Sequence, residues 1–231
     1  MVVERVEGTV ISATGSWYEV ATAEEVLRCR IRGRLRLKGV RSTNPVVVGD
    51  MVQVDGESIV AIEPRKNYII RKSSNLSKES HILAANIDQV FLVVTIKKPE
   101  TPFEFIDRFL LTANAYHIPV VIVLNKVDIL DEDEMALAEA IKGLYETNLG
   151  YKVVFSSTVS GEGVAEVKEM LSGKLSLFSG NSGVGKSSLL NVLEPSLGLK
   201  VGDVSRQHQT GMHTTTYSEV FDIAEGKVID S

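Results

Sequence analysis

The chain has 231 residues, which is long enough for two domains. Of these residues 44% are hydrophobic and 24% charged, a composition typical of folded globular proteins. A net charge of −5 argues against a general nucleic-acid binder, and the single cysteine, Cys29, excludes a disulfide framework and a thiolate zinc site. Because no signal peptide precedes Val10 and no apolar run approaches the ~20 residues of a membrane span, we expect a cytoplasmic protein with no membrane partner.

Residues 1–72 predict a small β-barrel of the five-stranded OB type that binds RNA. Basic charge is concentrated here: twelve Lys and Arg stand against nine Asp and Glu, whereas the rest of the chain has thirteen against twenty-one. The expected strands, separated by turn residues, are Gly8–Ser12, Trp17–Thr22, Val26–Leu37, Met51–Val54 and Ser58–Ile62.

The third of these strands carries a basic stripe. Because successive side chains of a strand point to opposite faces, one face would hold Arg28, Arg30, Arg32, Arg34, Arg36 and Lys38, and the other would hold Cys29, Ile31, Leu35 and Leu37. Six basic residues with no acid among them favour contact with the phosphates of RNA. The alternative is a solvated outer face of an amphipathic strand.

Residues 64–86 are predicted to connect the barrel to a second domain. The polar stretch from Arg71 to Ser80 favours a domain boundary near Ser73 and a linker over 73–81. The second domain would then occupy 82–231.

From Asn86 onward, apolar strand patterns alternate with helical patterns, which predicts an α/β domain with a mostly parallel sheet and helices on both sides. Mostly apolar runs such as Val90–Ile96 are expected of strands buried on both faces. The other expected elements are helix Phe103–Tyr116, strand Val120–Leu124, helix Met135–Tyr145, strand Lys152–Phe155, helix Gly163–Leu171 and strand Leu175–Phe178.

A guanine-binding motif follows the second of these strands directly, in Asn125, Lys126 and Asp128. The Asp128 carboxylate can accept hydrogen bonds from N1–H and from the 2-amino group of guanine, whereas adenine offers neither donor and would be rejected. Asn125 and Lys126 would brace the loop and cover the base. A backbone N–H of Ser156 or Ser157 is expected to reach guanine O6, although a Ser pair also occurs in plain turns.

A phosphate-binding loop lies between the last strand and a helix expected over Lys186 to about Leu193. Its residues are Gly180, Asn181, Ser182, Gly183, Val184, Gly185, Lys186, Ser187 and Ser188. Glycines let backbone N–H groups turn toward anionic oxygens, and the helix dipole favours the same phosphates. Lys186 would meet the β- and γ-phosphates, and the Ser187 hydroxyl would bind Mg²⁺. The strand–loop–helix context argues against an ordinary turn rich in Gly and Ser.

The guanine motif precedes the phosphate loop, the reverse of the order in an ordinary G domain, and a circular permutation would preserve the site. With this motif order, the chain resembles the bacterial family of circularly permuted GTPases that depend on the small ribosomal subunit, the RsgA type. The similarity covers essentially the whole chain, and it is carried by Ala84–Gln89, Asn125–Asp128, Ser156–Ser157, Gly180–Ser188 and Gly211–Thr216.

The resemblance implies a GTP hydrolase that acts in late maturation of the small ribosomal subunit and binds GTP or GDP, Mg²⁺ and rRNA. The polar segment Gly198–Thr216 is long enough for a switch loop. The family pattern assigns Thr214–Thr216 to Mg²⁺ and the γ-phosphate, with Thr215 as the best single choice. His213 could orient the attacking water or be merely exposed to solvent. The expected catalytic residues are thus Lys186, Thr215 and His213, and the expected Mg²⁺ residues are Ser187, Thr215 and Asp230.

Asp230 would begin a D-x-P-G motif, but the Pro-Gly is not in this sequence, and neither are the Cys and His ligands of the C-terminal zinc domain that the resemblance implies. We therefore expect a C-terminally truncated chain, monomeric and without zinc. Two other functions stay open at this point. One is a nucleotide-gated RNA-binding module with little turnover. The other is a transport or signalling GTPase, which would have no use for the basic stripe.

Overall fold

A computed structural model of the protein describes residues 5–32, 45–72, 80–199 and 218–230. The chain divides into two compact units. The first comprises Met1–Ile87 and Thr215–Val220, and the second comprises Asp88–Thr214 and Phe221–Ser231.

The first unit contains a closed five-stranded barrel, which confirms the OB-type prediction. Its strands are β1 (Val6–Thr14), β2 (Trp17–Ala21), β3 (Val26–Ile31), β4 (Met51–Asp55) and β5 (Ser58–Ile62). They pair in the order β1-β2-β3-β5-β4, and β1 pairs with β4 to close the barrel. The pairing of β3 with β5 is parallel, and the other four are antiparallel. Alternate residues fill the interior, among them Val10, Val20, Cys29, Val52, Val54 and Ile59.

A hairpin follows the barrel, in the segment where a connector was predicted. Strand β6 (Tyr68–Lys72) pairs antiparallel with β7 (Ser80–Ala85). Ile82 and Ala85 pack against Val47, so the hairpin has an apolar face to bury. The intervening residues 73–79 lie outside the described part of the chain. The linker over 73–81 and its two domain boundaries therefore stay a prediction, whereas the two compact units divide after Ile87.

The second unit is the α/β domain that the alternating pattern predicted. Its elements are β8 (Gln89–Val94), α1 (Phe103–Ala115), β9 (Val120–Asn125), α2 (Glu132–Lys142), β10 (Lys152–Ser156), α3 (Val164–Leu171), β11 (Leu175–Ser179), α4 (Lys186–Leu193) and β13 (Gly226–Asp230); β12 (Ser218–Ile223) runs from the first unit into it. Five strands form a sheet in the order β10-β9-β8-β11-β13, and all four pairings are parallel.

The packed core of this sheet fixes the positions of the loops at the carboxyl ends of its strands. Every residue of β8 and β9 is buried, and the rings of Phe91 and Phe178 stack with centroids 4.9 Å apart across β8 and β11. Because β8 lies between β9 and β11, the loops that leave the carboxyl ends of these three strands are neighbours. The guanine motif follows β9 and the phosphate loop follows β11, so the sheet places them at one edge.

Helix α2 begins earlier than the sequence pattern suggested. The predicted helix was Met135–Tyr145, whereas α2 spans Glu132–Lys142 and a wide helical turn follows over Gly143–Asn148. The start is set by a capping box: the Asp131 carboxylate accepts from the Glu134 N–H at 3.0 Å, and the Glu134 carboxylate accepts from the Asp131 N–H at 2.9 Å. The acidic residues therefore form the first turn of the helix, where the helix dipole favours negative charge.

Candidate functional site

The phosphate loop connects β11 to α4, in the strand–loop–helix context that the motif requires. Two of its glycines are required by close packing. A Cβ atom on Gly180 would lie 2.2 Å from the carbonyl oxygen of Val93, and one on Gly185 would lie 2.4 Å from Nδ2 of Asn125. Gly185 also has a φ of +99°, which other residues rarely adopt. A side chain at either position would push the loop away from the neighbouring strand ends.

Lys186 places its charge over this loop. Its Nζ donates to the carbonyl oxygens of Gly180 at 2.8 Å and Asn181 at 3.3 Å, so the ammonium group is held against the start of the loop. Lys186 is also the first residue of α4, and Ser187 and Ser188 lie in the same first turn. The positive end of the helix dipole and the lysine charge thus act on the same volume.

Asn125 joins the guanine motif to the phosphate loop. It is the last residue of β9 and is 2% exposed. Its Nδ2 donates to the carbonyl oxygen of Val184 at 2.9 Å, and its Oδ1 accepts from the Ser156 hydroxyl at 2.9 Å. Lys126 makes a second link, because its Nζ donates to the carbonyl oxygen of Gly183 at 2.7 Å. These bonds bring together two motifs that the sequence keeps far apart.

Asp128 lies in a short helical turn, Val127–Ile129, and its side chain is exposed. Its Oδ1 accepts a hydrogen bond from the Ser157 hydroxyl at 2.6 Å, which orients the carboxylate. The Ser157 hydroxyl in turn accepts the N–H groups of Val159 and Ser160, at 3.1 and 3.0 Å. Ser156 and Ser157 therefore hold Asn125 and Asp128 in place through their side chains.

The backbone N–H of Ser157, one of the two donors predicted for guanine O6, already has a partner in this structure. It donates to the carbonyl oxygen of Glu162 at 3.0 Å, within its own loop. In the described part of the chain, no hydrogen bond occupies the N–H of the next residue, Thr158. The sequence analysis did not single out Thr158, because the position of its amide depends on how the Ser157 turn folds.

The predicted metal and catalytic residues are only partly described. Asp230, the last residue of β13, is in register with Phe178 of β11, so it lies at the sheet edge from which the phosphate loop departs. His213 and Thr214–Thr216, including Thr215, lie outside the described residues. Within the described ranges, no group of three or more His, Cys, Asp and Glu side chains is placed to hold a metal ion. Of the helices described, none is long and apolar enough to span a membrane.

The basic stripe is confirmed for the part that is described. Arg28 and Arg30 are exposed on β3 and Cys29 is buried between them, as the alternation predicted. The guanidinium carbons of these two arginines lie 4.4 and 3.8 Å from the centre of the Trp17 ring on β2, a cation–π arrangement that the sequence did not reveal. Arg32 pairs with Asp55 at 3.4 Å. Arg34, Arg36 and Lys38 fall in the segment that is not described.

Two family models match the chain: the RsgA N-terminal domain over residues 7–59 and the RsgA GTPase over residues 62–231. The chain is 53% identical to the small ribosomal subunit biogenesis GTPase RsgA of Bacteroides fragilis, over 97% of this chain and 74% of that protein. It is 47% identical to the RsgA of Flavobacterium johnsoniae, over 97% and 72%. The crystal structure of YjeQ from Thermotoga maritima superposes with a TM-score of 0.74 at 35% identity, over 98% of this chain and 74% of that one. The crystal structure of YloQ, a circularly permuted GTPase, superposes with a TM-score of 0.66 at 25% identity, over 99% of this chain and 71% of that one. The chain therefore belongs to the RsgA family of circularly permuted GTPases.

Proposed function

We propose that this chain binds and hydrolyses GTP in the biogenesis of the small ribosomal subunit. The relatives that match it over nearly its whole length carry that function in their names. The observation that carries the proposal is the 2.9 Å hydrogen bond from Asn125 Nδ2 to the carbonyl oxygen of Val184. It holds a loop with the chemistry for guanine against a loop with the chemistry for phosphate, as a ligand with a base at one end and phosphates at the other requires.

Guanine is recognised by groups that converge after β9 and β10. The exposed Asp128 carboxylate accepts from N1–H and from the 2-amino group, and Ser157 keeps it oriented. The Thr158 N–H donates to guanine O6. The hydrocarbon stem of Lys126 covers the base, while its ammonium group is held by the carbonyl oxygen of Gly183. Adenine would offer the Asp128 carboxylate neither of these two donors, so it is rejected.

The groups for phosphate and Mg²⁺ lie at the same carboxyl-terminal edge of the sheet, after β11 and at the end of β13. The backbone N–H groups of Gly180–Ser188 and the Lys186 ammonium group bind the β- and γ-phosphates. The donors offered for a cation fit Mg²⁺, because the Ser187 hydroxyl and the Asp230 carboxylate are both hard oxygen ligands at this edge of the sheet. We assign these two residues and Thr215 to the ion, which when bound neutralises negative charge on the phosphates.

Hydrolysis needs positioning more than covalent chemistry from the protein. The oxygen of a water molecule bonds to the γ-phosphorus, and the proton that the water loses passes to a phosphate oxygen. The bond from that phosphorus to the bridging oxygen breaks, and GDP and inorganic phosphate leave. Lys186 stabilises the charge that develops on the phosphoryl oxygens. His213 is assigned to orient the attacking water.

The barrel supplies the contact with RNA. The exposed side chains of Arg28 and Arg30 and the half-buried ring of Trp17 form a basic and aromatic surface, and both kinds of group bind nucleic acids well. We place this surface against rRNA of the small subunit and the protein in the cytoplasm, where that subunit matures. On this view the RNA-binding domain spans 1–72, with the linker and GTPase domain following at 73–81 and 82–231.

Single-turnover hydrolysis tests the proposal. The chain is incubated with a trace of γ-labelled GTP, with and without purified small ribosomal subunits, and phosphate release is followed. We expect release that requires Mg²⁺ and is faster with small subunits than with large ones. Lys186→Ala is the matched control and should lose the activity, because the phosphates would meet one cation fewer. Equal hydrolysis of ATP and GTP, or equal rates with both subunits, would contradict the proposal.

A further inference from the structure

A third loop enters the candidate site, and no sequence motif marks it. It follows β8 and covers Thr95 to Thr101, before α1 begins at Phe103. Because β8 lies between β9 and β11, this loop lies between the guanine motif and the phosphate loop. We refer to residues 95–101 as the brace.

Two buried threonines close the brace on itself. Thr95 is 3% exposed and Thr101 is 8% exposed. The N–H of Thr101 donates to the carbonyl oxygen of Thr95 at 2.9 Å, and the N–H of Thr95 donates to the Thr101 hydroxyl at 3.1 Å. The Thr95 hydroxyl donates to the carbonyl oxygen of Pro99 at 2.5 Å. Each bond gives a partner to a buried polar group, which would cost free energy if it had none. The loop therefore has one favoured shape.

The closed brace contacts both halves of the site. The carbonyl oxygen of Lys98 accepts from Lys126 Nζ at 2.5 Å, beside the bond from the same ammonium group to Gly183. A Cβ atom on Gly183 would lie 3.4 Å from Cδ of Pro99, so the proline ring lies directly against the phosphate loop. Lys97 forms an ion pair with Glu134, whose carboxylate also closes the capping box of α2.

We propose that the brace positions Lys126 for guanine-nucleotide binding, and that Thr101 is a positioning residue which acts through Lys126 without touching the nucleotide. The inference rests on the proposed function, since it presumes that the site takes a guanine nucleotide. The Thr101 hydroxyl fixes the turn, the turn presents the Lys98 carbonyl, and that carbonyl with Gly183 holds the ammonium group. The lysine stem is then ordered before the base arrives, which reduces the entropy that binding must overcome.

The test measures the affinity for GDP by titrating a fluorescent GDP analogue into wild type and variants. Thr101→Val removes the hydroxyl and keeps the shape, and we expect the Kd to rise about tenfold. Thr101→Ser restores the hydroxyl and should bind as wild type does. Thr112→Val is the matched control, because it removes a threonine hydroxyl that bonds within α1, to the carbonyl oxygen of Arg108. If Thr101→Val fails to fold, Thr101→Ala removes the same hydroxyl without adding a methyl group.

The route through Lys126 is tested by a double-mutant cycle. Lys126→Met lacks the ammonium group, so in that background Thr101→Val should raise the Kd less than about twofold. An equal effect in both backgrounds would overturn the proposal, and so would a Thr101→Val protein with lowered thermal stability and an unchanged Kd. Neither of these results touches the proposed function, because wild type would still bind GDP. A wild type that binds no guanine nucleotide would instead refute the proposed function itself.

Discussion

In the proposed site, the carboxylate of Asp128 is the one side chain that decides which base is bound. One of its oxygens accepts a hydrogen bond from the Ser157 hydroxyl, and the side chain stays exposed to solvent. A carboxylate is only an acceptor, so two hydrogen-bond donors on one edge of a base satisfy it. Guanine offers this pair and adenine does not.

Exchanging the acceptor for a donor should therefore change the preferred base. In Asp128→Asn, the 2-amino group of guanine meets an amide N–H, and a polar group that binding buries without a partner costs about 1–3 kcal/mol. We expect the affinity for GTP to fall at least about tenfold, since 1.4 kcal/mol is one decade. Xanthosine triphosphate carries a carbonyl at that position and should gain affinity. Titration of wild type and variant with GTP, xanthosine triphosphate and ATP measures all three effects.

ATP should bind poorly to both proteins, because neither side chain matches the edge of adenine, and it serves as the internal control. Should Asp128→Asn keep the preference for GTP, the segment Asn125–Asp128 would be only a turn. The guanine site would then be wrong even if the phosphate loop binds nucleotides.

Strands and helices followed from the sequence wherever one periodicity dominates. The buried strands β8, β9 and β11 are short apolar runs, and helix α1 has apolar residues at helical spacing, so each was found within one or two residues. The hairpin β6–β7 was missed because its strands are only five and six residues long, and the polar residues at their facing ends merge with the predicted linker. The sequence predicted an acidic first turn, Asp131–Glu134, before a helix at Met135. The reciprocal bonds of the capping box make Asp131 the N-cap and place Glu132–Glu134 in the helix itself.

That capping box should make the stability of the protein depend on pH. The Glu134 N–H bonded to Asp131 lowers the pKa of this carboxyl, with nearby Lys97 adding to the effect. An unfolded chain therefore binds a proton at Asp131 more readily than the folded chain. The contribution of Asp131 to stability is present above its ordinary pKa and is lost as pH falls through the lower pKa of the folded state.

Asp131→Asn keeps a capping oxygen but removes this titration. We expect wild type to unfold at a higher urea concentration than the variant at pH 7, with the difference shrinking as the pH falls below about 4. Glu132→Gln is the matched control, since it removes a charge from the same turn and leaves the capping box intact. A difference that stays constant from pH 7 to pH 3 would show that the Asp131 charge does not stabilise the helix start.

For the molecule as a whole, the motifs predicted the composition of the site but not the contacts that assemble it. Asn125, Asp128 and Lys186 were found because their chemistry is tied to fixed spacings. The brace was not found, because its place follows from β8 being the strand between β9 and β11, and strand order is a property of the folded sheet. The permuted order of the motifs has no effect on this geometry, since each strand end contributes its loop wherever the chain starts.

The division into two units predicts that RNA binding and nucleotide binding can be changed separately. Arg28→Gln and Arg30→Gln together should weaken binding to small subunits. Each lost phosphate contact should reduce the magnitude of the negative slope of log K against log salt by about 0.7 to 0.9. Affinity for GDP should stay as in wild type, because the nucleotide residues belong to the other unit.

Trp17 is the only tryptophan in the chain, so its fluorescence reports RNA at this surface. Arg108→Gln, which removes an exposed charge from α1, is the control and should leave the slope and the fluorescence unchanged. An unchanged salt slope in the double variant would mean that these arginines only face solvent and do not contact RNA.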